Sequence, residues 1–122
     1  MTALFSVTGR ILLLNIIGEV TVELGAVATD MKIQANPTVA GSSVDMCAVG
    51  AVASLPVGSL ISITGVAATA LQTGLAVLGM INNWVVQPGT IDMNNSAAVG
   101  AGAIKWSCHY VPLDNTGLVV AL

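Results

Sequence analysis

Apolar and polar positions alternate with a period of two along much of this chain, the rhythm of strands that bury one face. Phe5 and Val7 alternate with Ser6 and Thr8, and Val20, Val22 and Leu24 with Glu19, Thr21 and Glu23. Further on, Met31, Ile33 and Ala35 alternate with Asp30, Lys32 and Gln34, and Ile104, Trp106, Cys108 and Tyr110 with Lys105, Ser107 and His109. These stretches predict four half-buried strands. Turn formers recur between them at Gly9, Gly18, Gly25, Asn36-Pro37, Gly41-Ser42-Ser43, Pro56-Val57-Gly58, Gly65, Asn82-Asn83, Gln87-Pro88-Gly89, Asn94-Asn95, Gly100 to Gly102 and Asp114 to Gly117. Punctuation this frequent leaves little room for helices, and Val, Ile and Thr dominate the pieces between. The pattern predicts an all-β chain: a single-domain antiparallel β-sandwich or jelly-roll-like barrel of about eight to ten short strands over residues 1–122. The one stretch with helical character is Val66 to Leu78, where Ala67, Ala68, Ala70 and Leu71 favour a helix and Gly74 opposes it.

Leu12, Leu13, Leu14, Ile16 and Ile17 break the alternation, because they place large aliphatic groups on both faces of one strand. Such a strand needs cover on both sides. Either it is a central strand beneath a loop or small helix, or one face is a subunit interface. Leu12, Leu14 and Ile16 are the candidate interface positions on this strand. Trp84, set between Asn82-Asn83 and Val85-Val86-Gln87-Pro88-Gly89, is a fourth, since tryptophan is enriched at binding hot spots. Trp106 reads instead as core, flanked two residues either way by Ile104 and Cys108.

Composition strengthens the interface reading. The chain is 55% hydrophobic and 7% charged, and no Asp, Glu, Lys or Arg occurs from Met46 to Ile91. Soluble domains carry roughly 25% charged residues, which keep the surface wet and the molecules apart. A free monomer of this composition is expected to be poorly soluble, so self-association as a homo-oligomer or cover by another protein is expected. A net charge of −3, with Arg10, Lys32 and Lys105 as the only cations, gives no basic stripe and argues against nucleic acid as a partner. The mean hydropathy of +0.90 raises the membrane as a rival. Against it, Val57 to Ile81 is cut by Gly58, Gly65, Gly74 and Gly79, studded with hydroxyl residues and lacks flanking Lys or Arg, so no membrane partner is expected, and a membrane-associated small protein stands only as a second alternative.

The start of the chain lacks the positive region of a signal peptide, and the apolar run Ile11 to Ile17 has no small-residue cleavage site after it, so synthesis and retention in the cytoplasm are expected. Cys47 and Cys108 then read as reduced and apolar, with a disulfide only in an oxidising medium.

Candidate chemistry is sparse. One His, one Tyr, two Cys and six acids are available. Ser107, His109 and Asp114 supply the residue types of a triad without any nucleophile motif around them. No phosphate loop, calcium loop or zinc spacing occurs, and Gly100-Ala101-Gly102 lacks the third glycine of a nucleotide fingerprint. No catalytic residue, metal or cofactor is therefore expected, and the chain reads as a non-enzyme.

Pro88-Gly89-Thr90-Ile91-Asp92, Gly102-Ala103-Ile104-Lys105-Trp106 and Tyr110-Val111-Pro112-Leu113-Asp114 resemble the ending of small bacteriophage structural proteins. The opening Phe5-Ser6-Val7-Thr8-Gly9-Arg10, with Ile17-Gly18-Glu19-Val20, is similar in kind. The resemblance implies a virion component of β-sandwich type: a capsid decoration (cement) protein, or a tail, tube or head-fibre subunit. Its implied partners are copies of itself and the major capsid or another virion protein. Strand pairing between subunits is a further expected contact, since short uncharged strands lack the Lys and Pro that guard sheet edges.

Overall fold

The computed structural model describes residues 2–39, 41–98 and 100–122, and it is all-β, with no helix among them. The strands are β1 (Thr2–Thr8), β2 (Ile11–Val22), β3 (Asp30–Pro37), β4 (Val44–Asp45), β5 (Gly50–Ala51), β6 (Leu60–Ser62), β7 (Gln72–Gly74), β8 (Trp84–Val86), β9 (Gly89–Asn95), β10 (Ala103–Pro112) and β11 (Leu118–Ala121). They form two antiparallel sheets. The first has the order β11-β1-β9-β3, with β4 and β5 both pairing along the far edge of β3. The second has the order β10-β2-β6-β7, with β8 pairing β2 on the same side as β6.

Alternation puts one face of each sheet into a shared core, an arrangement consistent with a β-sandwich. The first sheet contributes Phe5, Val7, Met31, Ile33 and Ile91, and the second Ile11, Leu13, Ile16, Val20, Ile61 and Val86, all within one buried cluster. Ile104, Trp106, Cys108 and Tyr110 of β10 pack against it half-buried. The alternating stretches around Phe5, Met31 and Ile104 thus form β1, β3 and β10 with the expected faces inward.

β2 departs from expectation in three ways, each with a steric or register cause. Gly18 is not a turn: the strand runs straight through it opposite Trp106, and glycine is needed there for close approach, since an added Cβ would meet Ile104 Cγ2 and Trp106 Cζ3 at 3.0 Å each. Leu14 is an extra residue, since Leu13 pairs with Tyr110 but Asn15 with His109. That bulge resets the alternation, so Ile16 joins Ile11, Leu13 and Val20 in the core. A second irregularity, with Val20 opposite Ile104 and Val22 opposite Ala103, leaves Val22 54% exposed rather than buried beside Val20 and Leu24.

Val66 to Leu78 forms no helix. Its main chain is used in extended pairing instead: the Ala48 N–H donates to the Thr69 carbonyl, the Leu71 N–H donates to the Ala48 carbonyl, and β7 pairs with β6. Tertiary pairing overrides the alanine propensity here. Gly65, at φ 87°, packs so tightly on the Asn82 carbonyl that no side chain fits.

Candidate protein-interaction face

One row on the outward face of the second sheet is apolar across three strands. Leu12 of β2 lies between Val111 of β10 and Val85 of β8 in one cross-strand row. Val85 and Val111 are exposed, Leu12 is half-buried, and the bulged Leu14 beside them is 37% exposed. The next pair is polar, His109 with Asn15, and beyond it come the rows Ser107–Ile17–Ser62 and Lys105–Glu19–Leu60. Here the segment around Leu78 to Met80 lies over the sheet: the Met80 N–H donates to Asn15 Oδ1 at 3.4 Å, and Ser62, 1% exposed, donates to the Leu78 carbonyl at 2.6 Å. Side chains in register on adjacent strands share a face and touch, so Val111, Leu12 and Val85 form one open apolar row at this end of the sheet.

The outward face of the first sheet is polar across β9 and β3. Ser6, Thr90 and Asn36 form one row, which continues to the exposed Val120 at the β11 edge, where Leu118 likewise stands opposite Thr8; Asp92 and Gln34 pair in another row that ends on Asp45. Gln34 Nε2 donates to Asp45 Oδ1 at 2.6 Å, Lys32 Nζ to Asp45 Oδ2 at 3.2 Å, and Asn94 Nδ2 to Gln34 Oε1 at 3.2 Å. The Gln34 hydrogen bond, and then that of Lys32, hold the Asp45 carboxyl below its ordinary range. Asp92 is buried in this network, and its Oδ1 has no protein partner.

The four candidate interface residues divide between the two sides of the second sheet. Leu12 and Leu14 lie on the outward apolar face. Ile16 has no exposed surface and belongs to the core, for the register reason given above. Trp84 pairs with the core-facing Leu13 and packs half-buried against the core, its Nε1 enclosed without an acceptor. Val85 and Val111 complete the outward row; the sequence signal for them was their place one residue from Trp84 and Tyr110 in alternating strands.

Asp114 is engaged in local structure. The Arg10 backbone N–H donates to Asp114 Oδ2 at 3.1 Å, and Thr116 donates to Asp114 Oδ1 from both its N–H and its hydroxyl. These bonds, that from the Arg10 N–H foremost, lower the Asp114 pKa and tie the carboxylate to the turn before β11. Ser107 and His109 lie exposed on the outward face of β10. Both cysteines are free thiols; burial pushes each of them up, and Cys47 Sγ also accepts the Ile33 N–H at 3.4 Å. Among the described residues no group of three or more His, Cys, Asp or Glu is placed to hold a metal ion. No helix among them is long and apolar enough to cross a membrane.

Comparison with protein-family models, with curated proteins and with solved structures gives no match for this chain.

Proposed function

We propose that this chain is a structural virion protein of a bacteriophage, a β-sandwich that decorates the capsid shell and stabilises it through apolar subunit contacts. The observation that carries this reading is the exposed apolar row Val111–Leu12–Val85 on the second sheet, on the side opposite the hydrogen-bonded Gln34, Asn94 and Asp45 of the first. A cement protein works by burying area across shell subunits, so that internal pressure must separate more surface. At about 25 cal/mol per Å², burying roughly 300 Å² of apolar surface contributes about 7 kcal/mol before the costs of association. Symmetry repeats that contribution at every copy. No catalysis is required.

Immunogold labelling of purified particles that contain the polypeptide tests the proposal. Label spread over the whole head is expected. Label confined to one vertex would assign the chain to a tail or head fibre instead, and label absent from particles would remove it from the virion altogether.

A further inference from the structure

The free edge of β10 points to a second site of contact, separate from the apolar face. Among the described residues β10 pairs only with β2 and ends the second sheet. Main-chain direction along it follows from β2. The Val20 N–H donates to the Ser59 carbonyl and its carbonyl accepts from the Gly58 N–H, so the Val20 backbone points away from β10. Its cross-strand partner Ile104 is therefore a non-hydrogen-bonded position of the β2–β10 ladder, and its own N–H and C=O point to the free edge. Alternation extends this to Trp106, Cys108 and Tyr110, because both irregularities insert their extra residue in β2 and leave β10 regular.

The same four residues are those whose side chains face the core yet stay half-buried. Beside them, a cleft of about 540 Å³ opens between the sheets, lined in part by Leu4, Phe5, Met93, Ile104, Trp106 and Leu122. An added strand would take up the edge hydrogen bonds and cover the open flank of these side chains together.

We infer that the occupant of this edge is β10 of a second copy of this chain, paired antiparallel about a two-fold axis at Ser107. A partner strand must match the alternation of β10, apolar inward and polar outward, and β10 itself does so. With Ser107 opposite its own copy, Ala103 to Val111 overlap fully, and Pro112, which has no N–H to give, stays outside the ladder. Trp106 then faces Cys108 of the second copy, and Ile104 faces Tyr110. Charge permits the match. Lys105 stands opposite Glu19 of its own sheet, and in the pair it falls opposite His109 of the second copy rather than opposite another lysine. The two lysines end about 14 Å apart, at roughly 3.4 Å per residue, beyond the ~8 Å screening length at physiological salt.

This pairing does not depend on the shell reading, and its test uses the purified chain alone. Sedimentation velocity at matched concentration compares the native chain with Ser107→Lys, an exposed outward-facing change that sets two ammonium groups face to face across the axis. The native chain is expected to contain dimer that the variant loses, with the circular dichroism spectrum unchanged. Ser107→Cys combined with Cys108→Ser is expected to give a covalent dimer on mild oxidation, since facing non-hydrogen-bonded positions lie about 4.5 Å apart at Cα, within disulfide range. A native chain that sediments as a monomer, a dimer indifferent to Ser107→Lys, or a folded Ser107→Cys variant that stays uncross-linked would each overturn the pairing.

Discussion

Valine at position 18 would have to share space with Ile104 and Trp106, whose side-chain carbons already lie 3.0 Å from where its Cβ would stand. Both neighbours sit on β10, so the strand pair must part for the larger residue to fit. Gly18→Val is expected to destabilise the chain by about 1–3 kcal/mol, measurable in urea unfolding as a shifted midpoint at unchanged slope. The sequence marks Gly18 only as a turn former, because a glycine needed for close approach and one needed for a turn look alike in a linear string. Asp45 and Asp114 permit a second residue-scale prediction. Both carboxyls are held below their ordinary value of 3.8, so each favours the folded state fully above that value, and the stabilisation disappears as pH falls through the lower folded value. Both are well exposed, so the effect is small and screened by salt. Thermal melts between about pH 6 and pH 2.5 should show a declining midpoint below about pH 4, and Asp45→Asn should flatten part of that decline.

At the scale of elements, the bulge in β2 separates residues that the sequence places together. Leu12, Leu14 and Ile16 are spaced two apart, and strict alternation sets all three on one face. The extra residue at Leu14 sends Ile16 inward, while Leu12 and Leu14 stay outward. Ile16→Ala should therefore cost about 2–5 kcal/mol, as a large-to-small change in a core does. Leu14→Ala, on the exposed side, should cost under about 1 kcal/mol in the same unfolding assay. If the two costs were alike, Ile16 would not be where the register puts it. Strand identity was legible where alternation is clean, as in β1, β3 and β10. It was illegible at the bulge, whose cause is the pairing of β2 with β10 rather than anything local to Leu14. Val66 to Leu78 shows the same limit: its alanines carry a helical preference, and only the partner at Ala48 reveals that the main chain is used otherwise.

For the molecule as a whole, scarcity of charge was legible at once, but the distribution of what polar surface there is was not. The structure gathers Gln34, Asn94, Lys32 and Asp45 on one exterior and Leu12, Val85 and Val111 on the opposite one. Changing Leu12 and Val85 together to Asp should leave the fold intact, because both point outward, while placing two carboxylates in the apolar row. The expected result is a higher saturating concentration in plain buffer, read by light scattering and filtration. Unchanged solubility would mean that the apolar row does not govern association. Trp84, a contact residue by sequence, takes no part in this row, since its partner in register is the core residue Leu13.

An object with one oily exterior and one hydrated exterior has a top and a bottom. Any layer of copies laid with the Leu12–Val85–Val111 row against a support turns the Asn36, Thr90, Lys32 and Asp45 side of the first sheet outward at every position. A short tag grafted onto the first sheet's exterior would then be displayed in a single orientation over the entire layer, whereas the same tag placed at Val85 would be hidden beneath it.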